Sequence, residues 1–465
     1  MPEKIETYSW PNGFRVIYEK SYVSVHNTHI QVFCDVGSAY ETNNLRGASH
    51  FIEHMCFKGT SKLPTTKELM VHYDKIGAYF NAYTEKRYTC YVLRCDDEYI
   101  ENSLAIMSDM ILNSKFNKKE FVKEQRVVVE ENIRDSDNPT SIINDLSTQY
   151  LYNGSSFMYP IDTLSYHKTG FKYDDILEFY RTFYQPSRMI MSVVSNQPLS
   201  FIKRALNKTF FTKQPRSSTS VVSNFSDTFG AQKIYKLRPE TAVIPYKYYI
   251  NYRIEPQSDV KIILKNNSTL NTTHLSIGFR TETKDKYALN MLNNILSSAF
   301  NSRLFILLRE EHGLTYTSKV YVDYNEMSGD FSIYAEADNT KIVRNGSNEM
   351  GVLPIIIKML LNLVHNGVTE NEMRIAHGFV KGHMKLKLEN STNIANHNGF
   401  HFLLHPDRPV VPLSDIYKIR YQPIKKSDVD SVIQTYFKRS GMVVSMLGKN
   451  LPSEKQIIKL FERFV

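Results

Sequence analysis

The chain has 465 residues, 42% of them hydrophobic and 23% charged, with a formal net charge of +9. That length exceeds one ordinary core, so two or more domains are expected, and the composition excludes a disordered or fibrous chain. The basic excess is mild, and lysine runs such as "NKKEFVKEQR" carry acidic residues among them, which reads as a solvated helix face and not as a nucleic-acid surface.

No targeting or membrane segment is expected. The opening "MPEKIETYSW" has neither the apolar core of a signal peptide nor the Arg/Ser bias of a transit peptide. The most apolar run, "VLPIIIKMLLNLV" from Val352, contains Pro354 and Lys358 and is too short to span a bilayer. An intracellular, cytoplasmic location follows as the expectation. Cys34, Cys56, Cys90 and Cys95 lack paired C-x-x-C spacing, so they are expected to be reduced and not to form a cysteine zinc site.

In chain order, "FRVIYEK" from Phe14 predicts a strand that leads through a turn to the alternating "THIQVFCDVGS" from Thr28. "GASHFIEHMCFKGT", residues 47–60, then predicts a helix. On it His50 and His54 lie one turn apart on one face, where two imidazoles can hold one Zn²⁺ and leave places for a third ligand and a water. Glu53 flanks that face, placed to take a proton from the water, in the reverse order of the H-E-x-x-H peptidases. Gly47, Ala48 and Ser49 suit close packing, and Phe51, Ile52 and Met55 form the buried side. Five residues are weak evidence alone, because an exposed helix face with polar side chains produces the same pattern.

Farther on, "FNAYTEKRYTCYVL" alternates as a strand. "NKKEFVKEQRVVVEENIRDSDNP" predicts a helix opened by Asn117 and Glu120 in a capping-box pattern and ended near Pro139. The acid that completes a metal set is expected here. Glu124 and Glu131 are two turns apart on one face, and Glu130, turned by about 100°, is the rival to Glu131 as ligand. "DDILEFYRTFYQPSRMIMSVVSN" from Asp174 predicts a helix, a break and a closing strand.

The chain is then written a second time, weakly. "VKIILKN" from Val260 and "THLSIGFRTET" from Thr273 repeat the opening strands, and "SDVDSVIQTYFKRSGMVVSMLGKN" from Ser427 repeats the closing unit. The expected fold is therefore α+β, with two homologous domains, each a mainly antiparallel sheet packed with helices. The boundaries are 1–212 for a catalytic zinc-binding domain, 213–258 for a Ser/Thr-rich linker in which "KYYINYRIE" can add a strand, and 259–465 for a second domain. The second copy has no H-x-x-E-H; its matching "ALNMLNNILSSAF" carries no ligand. "LREEHG" reads as a helix end capped by Gly313. His397, His401 and His405 recur at four-residue steps, but Gly399 weakens that helix and no acid completes a second metal set.

Taken together these segments resemble the pitrilysin-type inverzincin peptidases, and within them the two-domain branch that includes the mitochondrial processing peptidase and its bacterial relatives. "WPNGFRVIYE", "DVGSAYET", "GASHFIEHMCFKGT", "GAYFNAYTEKRYTCY", "EQRVVVEEN" and "NSRLFILLREEHGLTY" carry the resemblance in order over most of the chain. The resemblance implies one zinc per chain held by His50, His54 and Glu131, with Glu53 as general base and Glu124 as the supporting glutamate. It implies that Arg309 and Tyr316 donate to the oxyanion, and that Asn81, Ala82 and Tyr83 lie beside a substrate bound as an added strand. One stretch departs from the family, whose "PLGRPILGT"-like run is here "SSFMYPIDTLSYHKTG", with only Pro160-Ile161 in common.

The expected function is a zinc-dependent endopeptidase for extended or unstructured peptides and small unfolded polypeptides, working in a closed chamber. A homodimer is expected, in which Arg309 and Tyr316 of one subunit complete the partner's site. The alternatives are the catalytic half of a heterodimer and a non-catalytic scaffold or assembly subunit. No nucleic acid or membrane is expected as a partner.

Overall fold

The structure is a computed structural model describing residues 5–22, 26–163, 170–213, 244–343, 345–346 and 349–464. Most of the expected linker, 214–243, lies outside the described residues. The first sheet contains β1 (Ile5–Ser9), β2 (Arg15–Lys20), β3 (Asn27–Cys34), β4 (Tyr79–Thr84), β5 (Thr89–Asp96) and β6 (Met189–Ser195), in the order β1-β2-β6-β3-β5-β4. The second contains β7 (Lys261–Asn266), β8 (Thr272–Glu282), β9 (Thr317–Tyr324) and β10 (Ser328–Asp338). A two-strand hairpin follows, β11 (Asn345–Gly346) and β12 (Glu349–Met350), and β13 (Met442–Gly448) joins the second sheet in the order β7-β13-β8-β10-β9.

Without β1 the two orders are the same. In each sheet the first strand pairs parallel with the closing strand, β2 with β6 and β7 with β13, and all other pairs are antiparallel. The Thr-His pairs of the two copies take equivalent places: His29 faces Val194 across β3 and β6, and His274 faces Leu447 across β8 and β13. The α+β repeat expected from the sequence is therefore present at the level of sheet topology. Two local expectations differ. "FNAYTEKRYTCYVL" is not one strand but the hairpin β4–β5, closed where Glu85 N–H donates to the Tyr88 carbonyl. "KYYINYRIE" adds no strand; instead Asn251 and Glu255 bond to the backbone at Ser156 and Asn153.

The chain forms two compact units that are not contiguous in sequence: 1–128, 161–249 and 389–412 make the first, and 129–160, 250–388 and 413–465 the second. The helix Pro139–Leu151 packs on β8 and β13, whereas the helix Ser391–Leu404 packs on β3 and β6. A half-covered sheet needs a second apolar layer, but helical periodicity gives a buried face and not the sheet it will cover. The apolar run from Val352 is the helix Val352–Asn366, whose Val352, Leu353, Ile356, Leu360 and Leu363 are fully buried. Among the described residues no single helix is long and apolar enough to cross a membrane.

On the first sheet, Phe33, Cys90, Ile190 and Ile17 form one core with Phe402 and Leu403 of the helix Ser391–Leu404. Gly399 is what lets that helix approach, because a Cβ there would overlap the Phe33 ring. Beside it Asn398 Nδ2 donates to the buried Glu19 Oε2 at 2.7 Å. Gly399→Ala is accordingly expected to destabilise the protein by about 1–3 kcal/mol through overpacking, although alanine is the better helix former by about 1 kcal/mol. Chemical denaturation followed by far-UV circular dichroism checks this; an alanine variant as stable as the parent contradicts the close approach.

Candidate metal centre

The helix Ala48–Cys56 is fixed from its apolar side. Ala48, Phe51, Ile52 and Met55 are fully buried, and Phe51 packs edge-on against Phe121 at 4.9 Å between ring centroids. Its start needs Gly47, which sits at φ 89° in the left-handed region. The buried carboxylate of Glu41 then accepts from Gly47 N–H and Ser49 N–H, both at 2.7 Å, and serves as the helix cap. Burial pushes the Glu41 carboxyl up to about 7, with those two bonds opposing.

With its apolar face locked, the helix presents His50, Glu53 and His54 on the other side. The Nε2 atoms of His50 and His54 are 3.2 Å apart. Each Nδ1 meets a carboxylate: His54 Nδ1 lies 2.8 Å from Glu124 Oε1, and His50 Nδ1 lies 2.5 Å from Asp162 Oδ1. Glu124 is 2% exposed, and Lys58 Nζ reaches its other oxygen at 2.7 Å. Burial would raise the Glu124 carboxyl, but the bonds from His54 and Lys58 outweigh it, so it is held below the usual carboxylate range. A carboxylate on Nδ1 keeps the proton there and leaves the Nε2 lone pair free for a metal.

Glu124 and Glu131 lie on the continuous helix Lys118–Ser136, opened by Asn117, whose side chain accepts from Lys119 N–H at 2.8 Å. Glu131 is therefore two turns beyond the residue that touches His54. His50, His54 and Glu131 each bring one ligand atom within 4.8 Å of the others. Glu130 is exposed and joins no such group among the described residues. This donor set fits zinc. Tetrahedral Zn–N bonds of about 2.0–2.1 Å put two imidazole nitrogens about 3.3 Å apart, close to the 3.2 Å found. His397, His401 and His405 form no metal group among the described residues; His397 Nε2 contacts the Val411 carbonyl at 2.8 Å, and His405 lies beyond the helix end.

Glu53 is 7% exposed, and its Oε2 accepts from Thr84 Oγ1 at 2.6 Å. Burial pushes its carboxyl up, Thr84, His50 and His54 pull it down, and Asp162 adds a smaller upward push; the net direction is up. Thr84 closes β4, an edge strand of the first sheet. Even positions of β4 face the His50 helix, with Phe80 packing on Phe57. Tyr83 points to the opposite face, where its hydroxyl donates to Asn396 Oδ1 at 3.2 Å. Asn81, Ala82 and Tyr83 thus share a sheet edge through their backbone, while the Tyr83 ring belongs to the core under the helix Ser391–Leu404.

Arg309 and Tyr316 belong to the second unit and are brought together there. The guanidinium lies 4.5 Å over the Tyr316 ring, and Tyr316 is 83% exposed. The turn between them has Gly313 at φ 56°, with Gly313 N–H donating to the Arg309 carbonyl, as the "LREEHG" reading expected, but Phe305–Glu311 is a π-helical turn.

The family model described as insulinase (peptidase family M16) matches residues 15–160, and that described as the M16 peptidase inactive domain matches residues 170–377. An uncharacterized zinc protease of Bacillus subtilis is 30% identical over 404 residues, covering 86% of this chain and 88% of its own. The chain belongs to the M16 peptidase family. A protease from Helicobacter pylori shares the M16 fold with a TM-score of 0.81 at 19% identity, over 96% of this chain and 99% of that one. A Pseudomonas fluorescens structure described as a peptidase M16 inactive domain superposes with a TM-score of 0.78 at 16% identity, over 97% and 99% of the two chains. The M16 inactive-domain match begins after the H-x-x-E-H helix, in keeping with the absence of that motif from the second copy.

Four further residues around this cluster lie outside the pattern read from the sequence. Lys58 is one turn past His54 and was open to detection by spacing. Glu41 stands inside "DVGSAYET" without a spacing signal. Thr84 and Asp162 reach the site only through the path of a hairpin and a loop.

Proposed function

We propose that this M16 chain is a zinc-dependent endopeptidase that cleaves extended or unstructured peptides inside a closed chamber. The observation that carries the reading is the pair of imidazoles with Nε2 atoms 3.2 Å apart, Nδ1 atoms on carboxylates, and Glu131 within ligand reach. His50, His54 and Glu131 would hold one zinc, which lowers the pKa of a bound water and polarises the scissile carbonyl. Glu53 takes the proton of the attacking water and passes it to the leaving amine. Thr84 occupies Glu53 Oε2, so Oε1 is the oxygen left for that proton. The free edge of β4 receives the peptide as an added strand, with main-chain pairing at Asn81, Ala82 and Tyr83 tolerating varied sequences. Arg309 and Tyr316 donate to the oxyanion, and in a homodimer they act on the partner's site.

A scaffold or assembly role is the second reading, favoured by the inactive-domain description of the match at residues 170–377. The filled H-x-x-E-H of the first half supports the enzyme instead. Incubating the purified chain with an unstructured polypeptide and with a folded protein, then identifying products by mass spectrometry, separates them. Internal cleavage of the unstructured polypeptide alone supports the endopeptidase; intact substrates in the presence of zinc contradict it.

A further inference from the structure

We propose that Asp162 is a positioning residue for the metal, holding Nδ1 of His50 so that Nε2 is aimed at the ion. The inference rests on the zinc reading above and extends it to a residue outside every motif of the sequence. The family stretch quoted earlier runs Pro-Ile-Leu, whereas this chain runs Pro160-Ile161-Asp162.

The two imidazoles are held by the same chemistry. His54 has a carboxylate on Nδ1, supplied by Glu124 from the long helix. His50 has one too, at 2.5 Å, supplied by Asp162 from a separate segment after the turn Ser156–Met158. The His50 side chain is 13% exposed and that of Asp162 30% exposed, so their contact is partly screened from water. The contact is an ion-pair approach of Nδ1 to a carboxylate oxygen that does not meet hydrogen-bond geometry. A neutral imidazole without such a partner divides between two tautomers and two ring orientations, and only one of these presents the lone pair to the ion. Clamping the two rings from separate segments fixes both tautomers and sets the 3.2 Å spacing that suits a tetrahedral ion.

The test is the zinc dissociation constant of the full chain, measured by competition with a chromophoric chelator. Asp162→Ala is expected to weaken binding about 10–100-fold, with the melting temperature of the metal-free chain unchanged. Asp162→Asn keeps an acceptor oxygen without the charge and is expected to fall between parent and alanine. If the alanine variant fails to fold, the asparagine variant decides by itself: weakened binding supports the assignment, and parental affinity overturns it. A folded Asp162→Ala chain with parental zinc affinity also overturns it while leaving the zinc reading intact. A parent chain that binds no zinc overturns both.

Discussion

Glu53→Gln is expected to lower kcat for peptide cleavage by about 10²–10⁴-fold, the usual contribution of a general base, with zinc content and melting temperature unchanged. The substitution is nearly isosteric. Glutamine keeps an oxygen to accept from Thr84 Oγ1, so the contact that holds the side chain survives. What is lost is the carboxylate that takes the proton. Glu53 is not in the group of three ligand atoms, so its replacement leaves metal binding alone. Burial raises this carboxyl and makes its carboxylate a stronger base, while Thr84 and the two imidazoles oppose that push and favour the ionised form. Parental turnover in a zinc-loaded Glu53→Gln chain would assign the base elsewhere.

The second large effect separates two neighbouring acids. Glu131→Gln is expected to weaken zinc binding by more than about 100-fold, beyond the range of residues that only orient a ligand, and to abolish cleavage at ordinary zinc levels. Glu130→Gln is expected to leave affinity and turnover at parental values. Glu124 touches His54, and seven residues on, nearly two full turns, Glu131 returns to the same face. Glu130 is turned away and exposed. Zinc content after gel filtration, measured by atomic emission on both variants, reads the difference. Equal losses in the two variants would mean that the acids act together through surface charge.

Much of this was legible before the structure because period-2 and period-3.6 patterns carry their own faces. The repeat of "FRVIYEK" and "VKIILKN" became β2 and β7 in equivalent places of two sheets. Phe51, Ile52 and Met55 had to be the buried side of the His50 helix, and they are. The exchange of Pro139–Leu151 and Ser391–Leu404 between the units was not legible, because amphipathicity names a face and not its partner. Gly399 looked like a weakness in a helix, whereas the packing of Phe33 requires it. Thr84 and Asp162 were invisible for a related reason. Each is remote in sequence from the histidines and reaches them only once a hairpin or a loop has taken its course.

The most direct test is a zinc back-titration. The purified chain is stripped with a chelator, and zinc is returned in steps while cleavage of an unstructured peptide is followed. Activity absent from the stripped chain, rising in proportion to zinc and levelling at one ion per chain is the predicted result. Saturation with one zinc and no cleavage, or cleavage undiminished in the stripped chain, would contradict it.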